Sequence, residues 1–217
     1  MNFDYAYAFE ILPQLLLATI ITFEATLGGM ALALVLGLGL ALMRLSRFGP
    51  LDHTARGIIA FVRGTPLLIQ LYFLFYILPL YGIRFDPLLT GIIGLGMHYA
   101  SYLAEVYRAG IQAVPKGQWE AAVALNLSRL DVWKRIVLPQ AIPPMIPVFG
   151  NYLIAMFKDT PLLATITVLE LLGTAQVEAA LSYRYFEPYT IVGLIFLALS
   201  LPSAWLVRRL EAKNENR

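Results

Sequence analysis

Cysteine is absent from the 217 residues. That excludes disulfides, thiolate nucleophiles, iron–sulfur clusters and thiolate zinc sites. Histidine occurs only at His53 and His98, too few for a histidine-rich metal site, so no metal centre is expected. Charged residues make up 14% of the chain, whereas a soluble domain carries about 25%. The net charge of +2 gives no reason to expect nucleic acid as a partner. No G-x-x-x-x-G-K-[ST] loop is present, so the chain does not hold ATP in that manner. No basic segment precedes the first apolar run, which therefore does not read as a signal peptide. No nucleophile–base–orienter set stands out either, which leaves a membrane enzyme as the weakest functional class.

What is abundant is apolar surface: 59% of the residues are hydrophobic. A chain of this length cannot bury so much in a core of its own, so lipid must be the other solvent. The expected fold class is an all-α membrane protein, one transmembrane domain over residues 1–217. Five stretches are long enough to cross about 30 Å of hydrocarbon. The first, 11–43, is too long for one untilted span. Pro13 and the polar group Thr19, Thr22 and Glu24 point to an interfacial N-terminal helix followed by a crossing over 20–43. The others are 58–80, 88–107, 144–169 and 189–207. Lys and Arg set the orientation. One set of connections holds Arg44, Arg47, Arg56, Arg108, Lys116, Arg129, Lys134, Arg135, Arg208, Arg209, Lys213 and Arg217; the other holds only Arg84 and Arg184. The bias puts the N-terminus outside and the C-terminus inside, and makes 108–142 the largest cytoplasmic loop.

That loop is the most helix-like polar stretch of the chain. Over 117–138, Ala121, Ala122, Leu125, Leu127, Leu130, Val132, Trp133 and Ile136 recur at roughly helical spacing. Ser128 is placed to cap a second helix, with Asp131 three residues on, and Pro139 is expected to end it. The pattern predicts a helical hairpin across the cytoplasmic end of the bundle. It suits a helix resting on lipid headgroups, or one docked in a groove of a soluble partner. Glu120 among small alanines, rather than a row of Lys and Arg, leans toward the protein partner.

Charges within the spans are the second signal, because Lys, Arg or Asp at mid-bilayer costs about 2.5–3.5 kcal/mol on insertion scales. Lys158 and Asp159 are adjacent and deep, and are read as a site or gate; Gln70, His98 and Glu24 are further candidates for a polar path, with Asn151, Thr160 and Tyr72 weaker ones. Each has a plainer reading. His98 suits a satisfied core residue, Glu24 a headgroup-level position, and Glu105 a structural ion pair with Arg63 or Arg108. Gly64 and Pro66 read as a kinked helix start, and Gly91, Gly94 and Gly96 as close helix packing. The aromatic residues are read as interface belts or lipid-facing filler, without an aromatic cage.

The spacing of Glu120, Ala121, Ala122, Ile136, Leu138 and Pro139 resembles the EAA loop of ABC-importer permeases. Asn126 stands where that family usually has Gly, and Asn is the next best residue for a left-handed turn. RGTPLLIQLYFLFY (63–76), YLAEVYRAGIQAVPKGQWEAA (102–122) and KDTPLL (158–163) resemble the polar-amino-acid branch, with Ala60 in place of its usual acidic residue. NLS after EAAVAL, with NYLIAMFKDTPLLATITVLELL (151–172), most resembles the ectoine/hydroxyectoine permease subunits.

The resemblance implies a multi-pass protein of the bacterial inner membrane. It would pair with a second permease, either a sibling or itself. Beneath the pair lie cytoplasmic ATP-binding subunits, and an extracytoplasmic solute-binding protein feeds it. ATP and magnesium belong to the partner ATPase, leaving this chain without a cofactor. The loop would couple ATPase motion to translocation, with Glu120 as polar anchor, Ala121, Ala122 and Leu125 as apolar contact and Asn126 at the turn. The KDT segment would lie near the path of a polar amino acid or ectoine. Two other classes compete: an ion-gradient-driven secondary carrier for small zwitterions, disfavoured by the lack of a visible repeat, and a purely structural subunit, disfavoured by the deep charges.

Overall fold

The protein is seen in a computed structural model that describes residues 3–215, with side chains as far as residue 212. Every regular element among the described residues is helical, with no strand. Arg217 and the side chain of Lys213, both in the basic set above, lie outside them.

Helix α1 runs Tyr5–Leu45 without a break, capped by Asp4, whose carboxylate accepts from Tyr7 N at 3.2 Å. The expected division into an interfacial helix and a separate crossing is therefore corrected. Thr19, Thr22 and Thr26 each donate to the carbonyl four residues back, at 2.9, 3.4 and 2.7 Å, so the polar group satisfies itself inside the helix. Pro13 lies inside the helix without ending it. At 1.5 Å per residue such a helix is roughly 60 Å long, about twice the hydrocarbon thickness.

The stretch expected as the second span is two helices, not one. The amphipathic α2 (Gly49–Arg63) meets Leu67–Tyr81, which begins with α3 (Leu67–Tyr72), at 99°. Pro66 supplies no N–H at the corner, where Thr65 N and Oγ1 reach Val62 O and Gln70 Nε2 adds further donation. It donates to Val62 O at 2.7 Å, Thr65 Oγ1 at 2.8 Å and Thr65 O at 3.1 Å.

Helix α4 (Pro87–Gln112), capped by Asp86, packs along α1. Small residues allow the approach: a Cβ on Gly37 would meet Leu103 Cβ at 3.0 Å, and one on Gly96 would meet Leu32 Cβ at 2.9 Å. Gly91 and Gly94 likewise lie against Leu163 and Leu71, as expected of packing glycines.

The loop after α4 forms the expected hairpin: α5 (Lys116–Ala124), a turn with Asn126 at φ 52°, then α6 (Arg129–Asp131). Ser128 caps α6, accepting from Asp131 N at 3.2 Å. Pro139 does not end this arm. The helix passes through a π-helical stretch, Val132–Val137, into α7 (Leu138–Asp159). Pro139 falls in the first turn of α7, where the α-helical ladder is already interrupted and its missing N–H costs little.

Beyond Asp159 the expected fourth span tightens into a 3₁₀ segment, Thr160–Ile166, turns at the left-handed Thr167 (φ 65°) and continues as α8 (Leu171–Ser182), bent by 45°. Glu170, fully buried, caps α8 by accepting from Gly173 N at 2.7 Å and Leu172 N at 3.0 Å. Helix α9 (Phe186–Glu215) contains the last expected span.

By length and composition two helices, Tyr5–Leu45 and Phe186–Ala212, can cross a membrane, and up to four spans result if each bent pair counts as one. The main core lies between α1, α3, α4, α7 and the 3₁₀ segment, around Leu71, Leu95, Leu103, Met156, Leu163 and Ile166.

Candidate functional site

The hairpin is packed at its base and bare at its tip. Trp119 on α5 meets Trp133 edge to face, centroids 5.7 Å apart. Both rings pack on a buried cluster of Ile111, Val114, Val137, Ala141 and Met145. Ala122 is fully buried, so it holds α5 to this base. Glu120, Ala121 and Asn126 are exposed, and Val123, Leu125 and Leu130 are 76%, 71% and 63% exposed. The turn is closed by Leu127 N donating to Ala122 O at 3.1 Å, and by Ser128 Oγ donating to Asp131 Oδ2 at 2.6 Å. Val123 and Leu130 are exposed beside Leu125 on the same hairpin. Leu130 belongs to the helical series expected over 117–138, whereas Val123 does not, and the turn at Asn126 divides that series between two short helices.

The ion pair at the hairpin end of α4 differs in part from expectation. Glu105 pairs with Arg108 at 2.7 Å, as expected, and with Arg44 of α1 at 3.0 Å, which was not. Arg44 also binds Asp52 of α2 at 2.8 Å, and Asp52 binds Arg56 at 2.7 Å. Arg63 makes no ion pair among the described residues; its guanidinium lies 4.5 Å from the centroid of Tyr102. The helix break at Gly64–Pro66 turns Arg63 toward that ring, an outcome that sequence spacing along a straight span could not give. At the other end Arg184 binds Asp4 at 2.7 Å, and its hydrogen bond holds that carboxyl below the usual carboxylate range.

Inside the bundle the polar candidates divide. Gln70 and His98 come together, Oε1 to Nδ1 at 3.2 Å. Tyr99, next on α4, donates to Asp159 Oδ2 at 2.7 Å. Tyr99, Tyr102 and Tyr152 form a ring cluster, with centroids 5.8–6.3 Å apart, and His98 joins it. These tyrosines sit between helices rather than in belts. Lys158 is exposed while Asp159 is half-buried, as adjacent helical positions require. Asn151 lies elsewhere, donating to Glu211 of α9 at 2.8 Å. Glu24 is exposed on α1. Thr160 is buried and donates to Phe157 O at 2.7 Å, and Tyr72 packs on Tyr76. No cluster of three potential metal ligands occurs among the described residues.

Comparison with known proteins decides the family. Residues 33–216 match the model of the binding-protein-dependent transport system inner membrane component. The chain belongs to this family. Among relatives, it is 44% identical over 207 residues to a probable amino-acid ABC transporter permease, y4tG of Sinorhizobium fredii, covering 95% of this chain and 90% of that one. It is 38% identical over 220 residues to the octopine transport permease OccM of Rhizobium radiobacter, covering 97% and 90%. A crystal structure of an amino acid ABC transporter with histidines superposes with a TM-score of 0.90 at 32% identity, covering 98% of this permease and all of that chain. The permease is thus a membrane component of an ABC amino-acid transport system.

Proposed function

We propose that this chain, as one permease domain over 1–217, crosses the bacterial inner membrane five times with its N-terminus outside. On this reading it carries a small zwitterionic solute, a polar amino acid or ectoine/hydroxyectoine, when an ATPase moves the 108–142 hairpin. The observation that carries this reading is the hairpin itself. It offers exposed Val123, Leu125 and Leu130 beside Glu120, on a base locked to the bundle by Trp119 and Trp133. Such an apolar tip beside a single acidic anchor suits a groove on a soluble partner, and a stiff base passes the partner's motion to α4 and α7. ATP and magnesium would act on that partner; a second permease and an extracytoplasmic binding protein complete the assembly.

The proposed path runs past Gln70, His98, Tyr99 and Asp159. The carboxylate of Asp159 suits the cationic centre of either solute class, and the Tyr99, Tyr102 and Tyr152 rings suit it further. Lys158, Asn151 and Glu24 would take part only if a second permease completes the wall beside them.

The test is co-purification with the ATPase, then uptake by the reconstituted complex. Glu120→Lys is expected to leave insertion intact and to separate ATP hydrolysis from uptake. Normal uptake by Glu120→Lys sinks the coupling role, and uptake that ignores ATP but follows a sodium or proton gradient sinks the importer. Competition among ectoine, hydroxyectoine and glutamine for the companion binding protein resolves the solute class.

A further inference from the structure

At the end of the bundle away from the hairpin lies a cup of about 680 Å³, lined by Phe75, Pro79, Arg84, Phe85, Asp86 and Thr167 among others. It sits between the end of the Leu67–Tyr81 helix, the start of α4 and the left-handed turn before α8. The polar path plays no part in it. We propose that this cup binds the free zwitterionic end of an amino acid, an outer site occupied before the membrane is crossed. The proposal rests on the importer reading and its orientation, which put this end outside.

The charges carry the argument. Outer connections of a membrane protein are poor in Arg, and only Arg84 and Arg184 stand on this side. Arg184 is committed to Asp4 at 2.7 Å and lies 4.9 Å from the Tyr7 ring centroid. Arg84 is exposed and makes no ion pair or hydrogen bond among the described residues. Asp86 uses Oδ1 to accept from Leu89 N at 3.0 Å, and its Oδ2 has no partner among them. Arg84 and Asp86 do not pair with each other.

One cup therefore presents a planar double donor and a free carboxylate oxygen, unneutralised, with Phe75 and Phe85 as apolar wall. A guanidinium suits a carboxylate through two parallel hydrogen bonds, and the free Asp86 oxygen suits an ammonium group. The side chain of the solute would then lie along the two rings. A concave volume in the range of about 300–1,000 Å³ is typical of small-molecule sites, whereas a docked protein would need a broader face.

The natural lack of cysteine makes a direct test possible. Phe85→Cys and Thr167→Cys, each the sole cysteine, are made in the complete complex purified with its ATPase. Each is then labelled with neutral methyl methanethiosulfonate. Glutamine, arginine or histidine at ten times its dissociation constant is expected to slow labelling roughly tenfold, the ratio set by site occupancy. The carboxyl amides of the same amino acids are expected to give no protection, and protection is expected to vanish when Arg84→Gln is added. Failure of all three amino acids to protect either variant overturns the proposal. So does equal protection by the amides, or protection that survives Arg84→Gln. Protection by the binding protein alone overturns it in favour of a docking face. The importer reading is scored separately, by ATP dependence of uptake in the same preparation.

Discussion

Tyr99 of α4 donates its phenolic hydrogen to Oδ2 of Asp159, the last residue of α7, at 2.7 Å. The bond ties the two helices where the chain leaves α-helix for the tighter Thr160–Ile166 segment, and Tyr99 is 5% exposed. A carboxylate at that depth needs a donor or a counter-ion. Tyr99 supplies the first.

Tyr99→Phe is therefore expected to remove the donor while keeping the ring. A hydrogen bond to a charged group is worth about 1.5–3 kcal/mol, so the thermal midpoint of the purified complex should fall measurably. Uptake should fall further than stability explains, because Asp159 loses its fixed orientation. Unchanged uptake with a lowered midpoint would make the bond structural only.

Gln70→Ala should loosen the corner between α2 and α3. Thr65 O would lose the side-chain donor that meets it, while Val62 O keeps Thr65 N and Thr65 Oγ1, so the expected loss is about 1 kcal/mol. Hydrogen exchange over residues 61–71 is expected to quicken, with the hairpin unaffected.

Much of this was legible in the sequence, and the failures have a common cause. Composition and the hairpin spacing survive folding because each is a local property, whereas of the charges expected to lie deep Lys158 and Glu24 are exposed. Ser128 caps where a capping residue must, and Asn126 turns left-handed where the missing glycine predicts it. Hydropathy could not see the 99° corner at Gly64–Pro66, because the residues on both sides of it are apolar, and the corner is closed by Thr65 and by Gln70 reaching back. Of the two partners expected for Glu105, Arg108 pairs with it and Arg63 lies over Tyr102. The partnership of Arg44 with Glu105 joins residues 61 positions apart, and no spacing rule reaches that far. Glu170 was missed because the apolar run was read as ending just before it.

Arg44 is mostly buried and bridges α1 to both α2 and α4 through Asp52 and Glu105. Arg44→Gln leaves Asp52 with Arg56 and Glu105 with Arg108, so neither carboxylate is stranded. The expected loss is about 1–2 kcal/mol, at the lower end for bonds between charged groups. Glu105→Gln, which weakens both the α1 and the α4 partners, should cost at least as much. A larger effect from Arg44→Gln than from Glu105→Gln would show that Asp52 is the stronger partner.

Asp4 offers a pH test at the opposite end. Its carboxyl lies below the ordinary value of 3.8, first because Arg184 donates to it and next because Tyr7 N does. A depressed folded pKa stabilises the protein above the unfolded value and loses that stabilisation as pH falls through the folded one. Asp4→Asn preserves a capping oxygen for Tyr7 N while removing the charge. The variant is expected to unfold below the wild-type temperature at pH 7, with the gap closing as pH drops under about 3.8. A gap that persists at low pH would assign the role of Asp4 to its shape rather than its charge.

The turn of the hairpin separates backbone fit from surface chemistry. Asn126 sits at φ 52°, a region that costs an ordinary L-residue about 1–2 kcal/mol and glycine almost nothing. Asn126→Gly should fold and couple as the native chain does, since the side chain contributes little beyond tolerating that geometry. Asn126→Val places a β-branched residue there and should misalign α5 against α6, displacing Leu125 and Leu130 relative to each other. Retention of the ATPase on a column carrying the Asn126→Val complex is expected to weaken, while the glycine variant retains it fully. Equal retention by both would mean that the partner reads only one arm of the hairpin, and Leu125→Ala against Leu130→Ala would then identify which.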